Sequence, residues 1–156
     1  MKKKRKFAFF SVFQLLGRII GIDYGRKRTG IAVTDPLQII AGGVDTVATS
    51  DVKVWLERYI AVEPVERIIV GFPAMLDGSQ SPFFVSHVLP FVNGLKKKFP
   101  AIRIETIDER FTSKLAIRTM IEAGAKKKER SDKSKLDKIS ATIILQGYLE
   151  QIKTVF

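Results

Sequence analysis

From Gly17 onward, short apolar runs bounded by turn residues alternate with longer stretches in which apolar residues recur every three or four positions. The run "RIIGID" suits a strand covered on both faces, and "TGIAVTD" a second, with "GRKR" between them as a hairpin turn. A third run, "GGVDTVATS", alternates weakly, with Gly42 and Gly43 expected to mark the turn before it. Ser50 is placed to cap a first helix, "DVKVWLERYIAV", whose face is bracketed by Val54, Trp55, Arg58 and Val62 and which Pro64 ends. "VERIIVGFP" is a fourth strand, nearly all apolar. Ser81 and Pro82 open a second helix toward Phe99, which Pro90 should kink or interrupt. "IRIETIDE" alternates as a fifth strand with Ile102, Ile104 and Thr106 to one side. Thr112 is placed to cap a third helix ending at Gly124. After a charged linker, "AKKKERSDKSK", a last helix is expected from about Leu136 to Ile152, with Leu136, Ile139, Ile143 and Ile144 toward the core.

Three strands, then helix, strand, helix, strand and two helices predict an α/β domain. Its five-stranded mixed sheet has three antiparallel strands followed by parallel ones, flanked by helices. A strand reached after a helix enters the sheet by a right-handed crossover, parallel to an earlier strand. This is the element order of RNase H-like domains. A length of 156 residues with 46% hydrophobic content is enough for one such domain, spanning 17–156.

The formal charge of +11 favours polyanionic partners, but it is unevenly spread. Residues 1–18 hold six of the 27 Lys and Arg and no acid, so the remainder carries 21 bases against 16 acids, a net of +5. The opening "MKKKRKFAFFSVFQLLG" has the basic and apolar parts of a signal peptide. It lacks an A-x-A-like cleavage site, and its apolar run is too short to span a bilayer. Residues 1–16 are therefore expected to be a loosely held extension, or the product of a start codon placed upstream of a native beginning near Leu16. The chain contains no cysteine, which excludes disulfides, a thiolate nucleophile and Cys-ligated zinc, and its one histidine, His87, excludes a His-rich metal site.

In a sheet with parallel central strands, neighbouring strands end at the same edge, so acids at those ends can meet. Asp23 ends the first strand, and Asp108 and Glu109 end the fifth. Alternation sends only one of the latter two to a given face; Glu109 is the first choice and Asp108 the second. Asp137, at the start of the last helix, can supply a third acid to that edge. Taken singly, each has a plainer role: Asp23 in a turn, Glu109 against Arg110, Asp137 at a helix N-terminus. Together they form the oxygen-donor set that hard divalent cations require, and phosphodiester hydrolysis uses two such cations about 3.5–4 Å apart. Arg26, Lys27, Arg28, Arg110, Lys114 and Lys135 lie near this edge as candidate contacts for flanking phosphates. Lys126, Lys127 and Lys128 fit a solvated loop equally well. Asp77, in "LDGS", is first a turn residue.

Four blocks carry a family resemblance: "GIDYGRKRTGIAV", "IIVGFPAMLDGS", "DERFTS" and "KSKLDKISATIILQGYLE". In them, and over about Gly17 to Gln151, the chain resembles the YqgF/RuvX family of bacterial RNase H-like proteins, described as Holliday junction resolvases or pre-16S rRNA processing nucleases. Motif by motif, the resemblance places the family's metal-binding and catalytic acids on Asp23, Glu109 and Asp137. It implies an Mg²⁺- or Mn²⁺-dependent endonuclease of the cytoplasm that matures the 5′ end of 16S rRNA, with Holliday junction resolution as the alternative. The expected partner is nucleic acid rather than a membrane, and both monomer and homodimer stay open. The extension before Gly17 and Pro90 depart from the pattern without touching a motif.

Two rivals come from other classes. Phosphotransferases of the actin, sugar-kinase and Hsp70 superfamily share a first strand like "GIDYG" followed by "TGIAV", but they enclose a nucleotide between two such domains and this chain is long enough for one. A non-catalytic nucleic-acid-binding ribosome assembly factor would keep the fold without the chemistry; the presence of all three acids weighs against it.

Overall fold

The computed structural model of the chain describes residues 17–72, 75, 77–109 and 112–153. The expected extension over residues 1–16 and Arg110 lie outside the described residues, as does the side chain of Lys114. The sheet runs in the order β3-β2-β1-β4-β5, built from β1 (Arg18–Tyr24), β2 (Arg28–Thr34), β3 (Ala41–Ala48), β4 (Val65–Phe72) and β5 (Arg103–Asp108). The β1–β2 and β2–β3 pairs are antiparallel, and β1–β4 and β4–β5 are parallel. The expected mixed sheet is therefore present, and β1, β4 and β5 all end at one edge.

Each sheet face carries its own core. On one, Ile20, Ile22, Ile31, Ile68 and Val70 pack against α1 (Val52–Val62) and α2 (Leu89–Lys98). On the other, Ile19, Ala32 and Ile69 pack against a long helix, α5 (Lys133–Lys153), with α3 (Thr112–Glu122) lying on α5. Strands buried on both faces explain why β1 and β4 read as continuous apolar runs rather than alternating ones.

Several local expectations are corrected. Gly42 and Gly43 lie within β3, and the turn before it is closed by Asp35, whose carboxylate accepts the backbone N–H groups of Leu37, Ile39 and Ile40. Ser50 does not cap α1: Thr49–Asp51 forms a tight 3-10 turn and α1 starts at Val52. The helix begins one position later than expected, and its buried residues are Val52 and Leu56, four apart on one face, whereas Val54 and Val62 lie off that stripe and are exposed. Ser81 does cap its helix, its Oγ accepting the Phe84 N–H at 3.1 Å. Pro90 falls in the first turn of α2, and the turn before it, Phe84–Val88, is widened to a π-helical one. The proline ring would otherwise collide with the carbonyl four residues back, on Ser86.

The charged linker is partly helical, with α4 spanning Lys127–Arg130. Asp132 then caps α5 by accepting the N–H groups of Ser134 and Lys135, so the helix starts at Lys133 rather than Leu136. Its buried residues are Ser140, Ala141, Ile144, Leu145, Tyr148 and Leu149. Of the four expected core positions only Ile144 is fully buried; Leu136, Ile139 and Ile143 are half-buried.

The reason lies in the strands beneath. A Cβ on Gly30 would stand 2.0 Å from the carbonyl oxygen of Asp137, and one on Gly21 2.8 Å from Leu145 Cβ. One on Gly43 would meet Lys138 at 3.1 Å. Glycines on three strands thus form a trough into which α5 sinks, and the helix backbone at Asp137 and the Cβ atoms of Lys138 and Leu145, not the far ends of large side chains, make the closest approach. Gly30→Ala is expected to cost about 1–3 kcal/mol by overpacking. Gly42→Ala, where a Cβ meets nothing within 4 Å, should be near neutral. Urea denaturation of the two variants checks this; equal midpoints would remove the trough as a constraint.

Candidate metal and nucleic-acid site

The common edge of β1, β4 and β5 collects the expected acids. Asp23 lies one residue before the end of β1, where it pairs with Gly30 of β2 on one side and Gly71 of β4 on the other. Alternation puts it on the α5 face, in line with Ile19 and Gly21. Glu109 follows β5 directly, and its N–H continues the parallel ladder by donating to Phe72 O at 3.0 Å. Two residues before it, Ile107 packs on the α5 side, so Glu109 belongs to Asp23's face while Asp108 points to the other and is exposed. Between the two choices offered by the sequence, the structure brings Glu109 and not Asp108 to Asp23.

β4 separates these two acids, and Gly71 is what lets them meet. A Cβ there would stand 2.8 Å from Glu109 Oε2 and 2.5 Å from Ile144 Cδ1. The carboxyl of Glu109 crosses the strand over this bare position and hydrogen-bonds to Asp23. An interior glycine in an otherwise apolar strand was the available sequence signal for such a crossing.

The pair shares a proton. Loss of hydration is the main force pushing Glu109 up to about 9, reinforced by the charge of Asp23, by its own hydrogen bond to Asp23 and by Asp108. Asp23 is pushed up to about 6, first by loss of hydration, with the bond from Glu109 opposing and the charge of Asp137 adding to the rise. Glu109 therefore keeps the proton and donates, and Asp23 accepts as the carboxylate.

Asp137 reaches this edge because α5 is seated on Gly30, but its carboxylate is held elsewhere. Arg28 Nε donates to Asp137 Oδ2 at 2.9 Å. Among the described residues, no three Asp, Glu, His or Cys side chains are already grouped as a metal cage. Asp23 and Glu109 nonetheless offer hard oxygen donors, crowded, poorly hydrated and in need of a cation, which is the chemistry that suits Mg²⁺ or Mn²⁺.

The cationic hairpin between β1 and β2 borders the acids. Thr49 braces it: its N–H donates to Lys27 O and its Oγ1 to Gly25 O. Arg26 lies over the Phe83 ring at 4.7 Å, Lys27 is exposed, and Arg28 is the partner of Asp137. Lys135 is exposed on α5 and stands 4.0 Å from Glu129. Asp77 closes its own turn by accepting from the Ser79 N–H and hydroxyl. His87 is exposed, stacked on Phe83 and bonded to Ser86. Among the described residues no helix is long and apolar enough to cross a membrane.

Residues 17–151 match the model of the RuvX family, described as Holliday junction resolvase. A protein of Bacteroides thetaiotaomicron is 56% identical over 135 residues, covering 86% of this chain and 97% of its own length. One of Phocaeicola vulgatus is 52% identical over 140 residues, covering 90% and 100%. Both carry the name "Putative pre-16S rRNA nuclease". Among solved structures, the fowlpox virus Holliday junction resolvase aligns with a TM-score of 0.51 at 16% identity, over 86% of this chain and 99% of that one. T. thermophilus RuvC, in complex with Holliday junction substrate, aligns at 0.50 and 15%, over 88% and 97%. At those identities the two structures establish a shared fold.

The proton shared by Asp23 and Glu109 has a consequence for stability. A carboxyl whose pKa is higher in the folded chain than in the unfolded one, here up from 3.8 and 4.5, stabilises fully below about pH 4. That contribution is lost as pH rises through about 6 and then about 9. Urea midpoints measured in EDTA should fall between about pH 5 and pH 9. Glu109→Gln, which keeps an N–H donor toward Asp23, should flatten the upper part of that fall; an unchanged slope would show that the two acids do not share a proton.

Proposed function

The chain belongs to the RuvX family, and from that membership we propose that it is a metal-dependent endonuclease of structured RNA, processing the 5′ end of pre-16S rRNA in the cytoplasm. The observation that carries this reading is the proton-sharing pair of Asp23 and Glu109 at the sheet edge, beside a hairpin that presents Arg26, Lys27 and Arg28. An acid pair with raised pKa values is stable only if protonated or neutralised by a cation, and a phosphodiester brings negative charge that only cations can hold there. The names of the curated relatives favour pre-rRNA as substrate. The description of the family model favours a four-way DNA junction as the second reading.

Asp23 and Glu109 would hold the metal, with Asp137 completing the donor set. Bound there, one or two divalent ions supply Lewis acidity at the scissile phosphate and an activated water. The protein's own work is placement. Asp23 is fixed by its strand, Glu109 by the ladder bond to Phe72, and Asp137 by the seat of α5 on Gly30. Before an ion can bind, Glu109 must give up its proton, so cleavage should rise with pH across the neutral range. Lys27 and the guanidinium groups of Arg26 and Arg28 hold the phosphates flanking the cut without reading sequence.

The test is cleavage of a pre-16S rRNA 5′ leader and of a four-way junction, each with Mg²⁺, Mn²⁺ or EDTA. Cleavage of the leader that EDTA abolishes is expected. Asp23→Asn should lower the rate by about a hundred-fold or more while the circular dichroism spectrum is retained. Binding to the leader should weaken steeply as salt rises. Full cleavage by Asp23→Asn would overturn the site. Salt-dependent binding with no cleavage under any metal would favour a non-catalytic assembly factor.

A further inference from the structure

One contact at the site works against the arrangement that cleavage needs. Asp137 is close enough for its charge to act on Asp23, yet its Oδ2 is held by Arg28 Nε at 2.9 Å. The backbone of Asp137 has no freedom to adjust, because its carbonyl occupies the space that a Cβ on Gly30 would fill. Only its side chain can move. Arg28 is the first residue of β2, directly after the exposed hairpin, and its side chain is 42% exposed against 23% for Asp137. A guanidinium carries five N–H donors in a planar fork, of which Asp137 engages one. A phosphodiester arriving at the hairpin meets that fork from the solvent side and can take two of its N–H groups at once, a stronger geometry than the single bond to Asp137.

We propose that Arg28 is a phosphate-released latch on Asp137: without nucleic acid it holds this carboxylate away from Asp23 and Glu109, and a substrate phosphate draws Arg28 off and frees Asp137 to join them. This rests on the metallonuclease reading above and adds to it a reason for the protein to complete its site only on substrate. Arg28 is thereby a positioning residue as well as a phosphate contact. By linkage, nucleic acid tightens metal binding and metal tightens nucleic-acid binding by the same factor.

The experiment is a Mn²⁺ titration of the metal-free full chain, followed by the loss of the free-ion EPR signal, without nucleic acid and then with a cleavage-resistant 2′-O-methyl RNA. Arg28→Gln alone should tighten Mn²⁺ binding about two- to five-fold without nucleic acid, the range of a partly exposed ion pair. Lys27→Gln, which removes the same charge one position away without a contact to Asp137, should change it much less. The gain from Arg28→Gln should vanish in an Asp137→Asn background, since it acts through that carboxylate. RNA should tighten Mn²⁺ binding more in the wild type than in Arg28→Gln.

Equal affinities for wild type and Arg28→Gln would overturn the latch, as would a gain that survives in Asp137→Asn or is matched by Lys27→Gln. The wild-type comparison with and without RNA needs no variant to fold, and an unchanged affinity there also overturns it. The two readings fail differently: a wild type that binds Mn²⁺ and cleaves but shows no effect of Arg28 loses the latch alone. A wild type that neither binds Mn²⁺ nor cleaves loses the metallonuclease and the latch together.

Discussion

How closely α5 can lie on the sheet governs almost everything at the acidic edge, and that distance is set by side chains that are missing. Gly21, Gly30 and Gly43 leave a trough across β1, β2 and β3, and the helix enters it until its own backbone touches the strands. Asp137 is thereby placed by backbone contact rather than by a long side chain reaching inward. The arrangement is stiff at the main chain and free at the carboxylate, the combination a ligand needs if it is to be delivered to a site and still change partner. Asp132 fixes where the helix begins, and the bond from Thr46 Oγ1 to Ser134 O ties that beginning to β3. Helix register and sheet register are in this way made to agree.

Gly71 extends the same logic sideways. Asp23 and Glu109 stand on strands that are not neighbours, and a side chain of any size on the strand between them would keep them apart. Removing it brings two carboxyls into hydrogen-bonding contact where water is scarce, at a cost that the chain meets by leaving Glu109 protonated. Such a pair stabilises a fold poorly at neutral pH, and its value lies in what it can take up. A site built of acids that repel when ionised has a strong drive toward divalent cations, and a helix and strands that are otherwise well packed keep it from collapsing.

Much of this was legible in the sequence, and the rest was hidden for identifiable reasons. Strands buried on both faces announce themselves as apolar runs, so "RIIGID" and "VERIIVGF" were placed correctly. Asp23 stands out as a charge at the end of the first of these runs, and Glu109, with Asp108 as second choice, at the end of the alternating run "IRIETIDE". The face of α5 was misjudged because large apolar residues carry the periodic signal. Here the closest contacts are made by the backbone of Asp137 and by the Cβ atoms of Lys138 and Leu145, over glycines whose positions on three separate strands cannot be seen to coincide until the strands are paired. Gly43, expected in a turn, lies in β3 beneath Lys138. Glycine in a sequence speaks for turns, and only the sheet shows that it is making room for a helix. The bond between Arg28 and Asp137 joins residues 109 positions apart and leaves no local trace.

The basic hairpin and the acidic edge have to be understood as one electrostatic unit. Cations placed beside acids with nothing bound would simply pair with all of them and neutralise the site. Among the described residues the hairpin does so at Asp137: Arg28 takes that acid, Arg26 rests on Phe83, and Thr49 holds the turn by donating to the carbonyls of Lys27 and Gly25. Asp23 and Glu109 hydrogen-bond to each other. The hairpin can therefore attract a phosphate backbone and the acids a divalent ion without the two halves cancelling first. The ion pair of Arg28 with Asp137 joins the two halves, and through the proposed latch it would let occupancy of one half be felt by the other.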